Sequence, residues 1–442
     1  MNIANTKPTY KNMISLSFPV MLGMLVHYAF TFADRFFIAK LGLKQAAGGA
    51  ISSTLFWVIF TFTGLVSGGA IALISRKKGE GNKSELKESM EQSLLLALIV
   101  GTTIALIGYF TADHLFKFFD VEDIVAHYGK EYYKTFLFGY PVMYISITMS
   151  VMFQATGETK TPMFMFSIMS LLNIVLDPIL IFGIGIIPAF GIRGAAYASI
   201  ISEVVSGIYM LILFHKKFKI KLFIKPQYKM IKRILKIGTW SGLSGFSRPL
   251  SGLALQKIIA FYGTAAVAGF GFAIQWLSIA FIFAEGIKVA VSTMIGQYLG
   301  SNRLDYLKLT IKKAFVMGSF AIIGTIIFAL LFAEEGISIF SKDKEVIEIG
   351  SSYLRIVMTS LIFDIPLTVF LAVFSGAGDT KPPMIISFIA NWPVKILMAS
   401  ITTYILGMSI IAIWYAIALS IIVEGVGLYL WYLKGNWLKK KI

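Results

Sequence analysis

A chain of 442 residues that is 57% hydrophobic and only 14% charged is too apolar for a soluble domain, in which about a quarter of residues carry charge. Its net charge of +17 does not point to nucleic acid, because the basic residues fall in short gaps between long apolar runs. The absence of cysteine excludes a disulfide framework, a thiolate metal site and a cysteine nucleophile.

Twelve apolar stretches of helix length follow one another, at 12–40, 46–75, 91–112, 135–155, 162–187, 194–214, 237–262, 266–296, 314–333, 354–376, 383–406 and 408–433. They predict an all-α integral membrane protein with twelve transmembrane helices. No cleavable signal is expected, since the first stretch is too long for one and runs into "FADRFF" without a small-residue cleavage site. When alternate gaps are assigned to opposite sides, the side holding both termini carries 26 of the 40 Lys and Arg. That side is expected to be cytoplasmic.

The gap 215–236, "HKKFKIKLFIKPQYKMIKRILK", falls at the midpoint and predicts a basic linker along the inner headgroups. It divides the chain into six-helix halves at 1–214 and 237–442. "FQATGETKTPM" (153–163) repeats as "FSGAGDTKPPM" (374–384), and the same spacing pairs Gly42 with Gly263, Ser199 with Ser420 and Glu203 with Glu424. An even number of helices per half gives both halves the same direction across the membrane. Two pseudo-symmetric six-helix bundles facing each other across a cleft are the expected architecture.

Within the fifth stretch, "NIVLDPILIFG" sets Asp177 beside Pro178. An ionised Asp at mid-membrane costs about 2.5–3.5 kcal/mol on insertion scales, so it must be protonated, paired or bound to a cation. Asn173 lies one turn before Asp177 on the same face, and Pro178 frees the carbonyl of Ile174. Asp34 in the first stretch and Ser199 in the sixth are expected at a similar depth. Ala195, Ser199 and Glu203 form one stripe on the sixth helix. Hard oxygens gathered this way suit sodium, while a proton needs a carboxylate alone. The repeat does not copy the cluster: Asp34 maps to Leu255, Asn173 to Val394 and Asp177 to Met398.

The order of features resembles the MATE (multidrug and toxic compound extrusion) family. The resemblance rests on "SFPVMLGMLVHYAFTFADRFFIAKLG", "GETKTP", "LLNIVLDPILIFG", "GIRGAAYAS" and "GAGDTKPP", and spans nearly the whole chain. It looks closest to the prokaryotic group with aspartates in helices 1 and 5. The resemblance implies a coupling-cation site, for H+ or Na+, made by Asp34, Asn173, Asp177, the backbone of Ala195, and Ser199. It also implies that Pro19 bends helix 1. Asp364 occupies the place of a carboxylate used by another branch of the family, whose helix-7 glutamate is matched here by Arg248. Either a second cation site or an Arg248–Asp364 ion pair fits that sequence.

Glu285 and Lys288 are one turn apart and are expected to pair, while Lys257 and Lys395 snorkel or line the cleft. Glu203 and Glu424 read as structural donors or cleft-lining groups. No P-loop is present, and His27, His114, His127 and His215 are scattered, so neither a nucleotide motor nor a metal cluster is expected. No other cofactor is implied.

The reading is a cation-coupled antiporter, not an enzyme, that exports amphipathic, often cationic drugs by alternating access. It is expected to act as a monomer in the lipid bilayer of a prokaryotic inner membrane, without nucleic acid. A flippase for a lipid-linked oligosaccharide is the alternative, kept open by Arg248, Lys257, Lys288 and Lys395. A channel and a membrane enzyme are weaker rivals.

Overall fold

A backbone surrounded by hydrocarbon must satisfy its own polar groups, and each apolar stretch does so as a helix. The computed structural model describes residues 3–221, 225–440 and 442. Its long helices are α1 (Tyr10–Ala39), α2 (Leu43–Glu80), α3 (Lys83–Phe118), α4 (Asp123–Ala155), α5 (Lys160–Phe182), α6 (Ile192–Phe218), α7 (Tyr228–Ala260), α8 (Thr264–Gly300), α9 (Leu304–Ser338), α10 (Lys344–Ala377), α11 (Lys381–Ile405) and α12 (Ile411–Leu433). Helices α1–α6 and α7–α12 form the two bundles.

Eleven of these are long and apolar enough to cross a membrane. The exception, α7, carries Arg248 among the glycines and serines of "GTWSGLSGFSRPLSG", and it packs against α2 and α11. Several helices overrun their apolar runs. Helix α3 begins in "KSELKESM", where the Asn82 side chain caps it by accepting from the Glu85 N–H at 3.1 Å. The basic stretch 215–236 does not form a helix of its own. It supplies the end of α6 and the start of α7, and its residues 222–224 lie outside those described. Either side of them is tied to α3, with the Gln92 amide donating to Lys225 O at 2.9 Å and Glu91 accepting from the Lys221 N–H at 2.9 Å.

The repeated motif has a structural duty. Thr159 donates to Ser15 O on α1 at 3.4 Å, and Thr380 donates to Ile237 O on α7 at 2.6 Å. Ser15 O is the carbonyl that Pro19 leaves without its helical partner, so Thr159 satisfies what the proline removes. The acids of the two copies act alike. Glu158 pairs with Lys217 at the end of α6, and Asp379 pairs with Lys440 beyond α12 at 2.7 Å. Each motif thus ties the first helix of its own bundle to the end of the last helix or to the tail that follows it.

The bundles share cores at the end that holds both termini. Met13 and Leu16 of α1 pack with Ile287, Val291 and Met294 of α8, while Met230, Ile234 and Ile237 of α7 join Val66 and Leu73 of α2. Close approach there depends on glycine. A Cβ on Gly238 would lie 1.8 Å from Leu65 O, and one on Gly69 would lie 2.2 Å from Ile234 O. At the far end the cores separate into Leu255, Phe270, Trp414 and their neighbours in one bundle, and Ile38, Tyr132, Ile181 and Ile192 in the other. The changeover falls near the Phe62–Phe246 ring contact. There α2 is interrupted after Thr61, and the Tyr140 and Tyr144 phenols donate to Ile59 O and Phe62 O, each at 2.7 Å. The two bundles are joined at the basic end and part toward the other.

Candidate cation site

Helix α5 sets Asn173 and Asp177 on one buried face, and α1 brings Asp34 to meet them. Asp177 is fully buried and Asp34 is 8% exposed. The two carboxylates are close enough to interact electrostatically, and Tyr132 of α4 lies within the field of both. Its phenol donates to Asp34 Oδ2 at 3.3 Å. The Asn173 amide is oriented by its neighbours. Turned so that both its ends are satisfied, it donates to Asp177 Oδ2 at 2.9 Å, and its oxygen accepts from the Ser199 hydroxyl and N–H, each at 3.1 Å. Ala195, one turn from Ser199 on α6, is fully buried in the apolar roof formed with Ile38, Ile181 and Ile192.

The structure therefore brings Asp34, Asn173, Asp177 and Ser199 together, with Ala195 beside them. Asp34 Oδ1 and Asp177 Oδ1 have no hydrogen-bond partner among the described residues. Two buried, adjacent anions repel unless a positive charge accompanies them. Free carboxylate oxygens beside an amide and a hydroxyl are suitable ligands for one hard monovalent cation or for a proton. Among the described residues no three His, Cys, Asp or Glu gather as a metal cluster. Ser199 meets the site through Asn173, so Ser199→Ala is expected to weaken cation affinity by roughly fivefold, the equivalent of about 1 kcal/mol, in a binding titration.

Tyr132 was not singled out by sequence. Helix α4 also carries Tyr128, Tyr133, Tyr140 and Tyr144, and nothing in their spacing marks the one that reaches Asp34. Pro19 is buried in α1, which continues through it as a helix.

In the C-terminal bundle Arg248 does not pair with Asp364. Its guanidinium forms an ion pair with Glu424 of α12 at 3.0 Å. Asp364 follows a 3-10 turn in α10 and faces the α8–α9 gap, where it accepts from the Thr368 hydroxyl at 3.2 Å. It lies in the field of Arg248 without reaching it. Glu285 and Lys288 pair as expected. Lys395 donates to Asn391 Oδ1 at 2.6 Å, and Ser251 donates to the same oxygen at 3.2 Å. Asn391 sits in π-helical turns of α11 around Pro393. Lys257 is exposed. Glu424→Gln should lower the melting temperature by leaving Arg248 unpaired, and adding Arg248→Gln should restore most of the loss. A loss in the double variant equal to the sum of the single losses would contradict the pairing.

One family model, MatE, matches residues 19–179 and again 241–401, once in each half. The chain belongs to the MatE family. MATE proteins are transporters, so this one is a multi-pass membrane transporter and not an enzyme. A MATE relative named "Probable multidrug resistance protein NorM", from Thermotoga maritima, is 29% identical over 98% of this chain and 94% of its own. A protein named "FAD transporter", from Shewanella oneidensis, is 26% identical over 79% of this chain and 78% of its own. A solved structure described as the outward-facing conformation of a multidrug resistance MATE transporter of the MOP superfamily superposes with a TM-score of 0.90. It is 24% identical and covers 99% of this chain and 98% of that one.

Proposed function

We propose that this MATE transporter is an antiporter that exports amphipathic, often cationic drugs in exchange for inward movement of H+ or Na+. The observation that carries the reading is the pair of buried carboxylates, Asp34 and Asp177, each with one oxygen left unpartnered. The basic end, with both termini, is placed in the cytoplasm of a prokaryotic cell. The conformation joined at that end then faces outward, like the neighbour described above. The halves 1–214 and 237–442 move against each other as a monomer, with the basic connector 215–236 holding them at the inner headgroups.

From outside, the cation reaches Asp34 and Asp177 and removes their repulsion. Tyr132 and Asn173 keep the carboxylates oriented while α1 repacks around its Thr159-supported Pro19. The cleft releases the drug outward, and the bundles then rock to face inward. A membrane potential negative inside adds about 2.3 kcal/mol per elementary charge per 100 mV to inward cation movement.

The flippase reading needs a strongly cationic cleft. Glu424 neutralises Arg248 and Glu285 neutralises Lys288, so of the four cations only Lys257 and Lys395 are left without a carboxylate partner among the described residues. That favours the drug exporter. The test is extrusion of ethidium from cells lacking their own exporters, with FAD, the cargo named for the Shewanella relative, as the second substrate. Ethidium accumulation should fall when the protein is made. Unchanged ethidium with altered FAD would replace the cargo class, and no change in either would remove the exporter reading.

A further inference from the structure

Buried helical hydroxyls normally donate back to a carbonyl three or four residues earlier. Ser150, Ser93, Thr148 and Ser206 do so here. Ser146 on α4, Ser170 on α5 and Ser202 on α6 do not, although they are 1%, 0% and 0% exposed, and their oxygens have no partner among the described residues. Glu203 on α6 is 9% exposed, and its Oε1 is equally unpartnered.

These four groups share a layer. Asn173 and Ser199 meet where α5 and α6 run antiparallel, and one turn toward the basic end from that contact are Ser170 on one helix and Ser202 and Glu203 on the other. Ser146 lies beside the Glu203 carboxyl, and its oxygen would be 2.8 Å from a Cβ on Gly207, the next position on that face. Below the layer the bundle is sealed by Met149, Met152, Phe153, Met165, Met210 and Phe214. The helical rise puts the layer roughly 6 Å from the Asn173–Ser199 contact.

We propose that Glu203, with the hydroxyls of Ser146, Ser170 and Ser202, is a second station for the monovalent cation, one turn inward from Asp34 and Asp177 and stopped by the methionine–phenylalanine plug. A carboxylate and three hydroxyl oxygens not engaged with the backbone can share a proton or ligate sodium. Titratable groups on the surrounding helices include His27 and Asp34 on α1, Asp177 on α5, and Tyr132, Tyr140 and Tyr144 on α4. Tyr132 is engaged with Asp34, and Tyr140 and Tyr144 with α2 carbonyls. The proposal rests on the reading of Asp34 and Asp177 as the primary site.

Infrared difference spectroscopy of the reconstituted full-length protein, stepped in pH and separately in sodium, reads each carboxyl band. The band lost in Glu203→Gln should respond to at least one of the two steps, and it should persist in the Asp34→Asn/Asp177→Asn double variant. Ser146→Ala should move that band while keeping its amplitude. Glu203→Asp, which shifts the band instead of removing it, covers the case in which Glu203→Gln does not fold. A Glu203 band indifferent to both steps overturns the second station and makes Glu203 a fixed neutral donor. Failure of the primary reading shows separately, as bands of Asp34 and Asp177 that respond to neither step.

Discussion

Asp177→Asn and Asp34→Asn are each expected to reduce drug export to the level of empty vesicles, with protein yield and melting temperature close to those of the parent. The substitution keeps shape and keeps an acceptor, so Asn173 can still donate at position 177 and Tyr132 at position 34. It removes the charge that attracts the cation. Losing a contact to a charged group costs about 1.5–3 kcal/mol, or roughly 10- to 150-fold in cation affinity. That is far more than the fivefold expected at Ser199, which touches the site through Asn173. Parental ethidium efflux in either variant would contradict the assignment.

The second large effect concerns the joint between bundles. Gly238→Val is expected to shift the protein away from the conformation closed at the basic end. No rotamer change can relieve a Cβ 1.8 Å from a backbone carbonyl, so α7 must move off α2. Overpacking of this kind costs about 1–3 kcal/mol, and the cost applies only to the conformation that makes the contact. The population ratio should therefore change by roughly 5- to 150-fold. The chain has no cysteine, so spin labels on one introduced pair across the basic end report the distance without background. A longer distance and slower export are expected, whereas an unchanged distribution would refute the glycine interlock.

Much of this was legible in the sequence because membrane depth is itself a coordinate. Counting residues along antiparallel spans put Asp34, Asn173, Asp177 and Ser199 at one level, and the structure brings them together. The internal repeat also carried more than symmetry, since both copies clasp their bundle through a threonine and an acid. What depth does not encode is azimuth. Arg248 lies within reach of several acids in the C-terminal bundle, and only the rotation of α10 and α12 about their axes selects Glu424 over Asp364. Tyr132 was hidden among similar tyrosines for the same reason. The polarity of α7 makes sense once its neighbours are known, because a helix wedged between bundles needs small residues more than it needs grease.

The most direct test of the coupling is simultaneous measurement of drug and cation flux in proteoliposomes under separately imposed pH and sodium gradients. Drug movement should accelerate under at least one of the two gradients, with that cation moving in the opposite direction, and Asp34→Asn should remove both the acceleration and the cation flux. Drug movement that is the same with and without either gradient, or a dependence that survives Asp34→Asn, would contradict a cation-coupled exporter centred on Asp34 and Asp177.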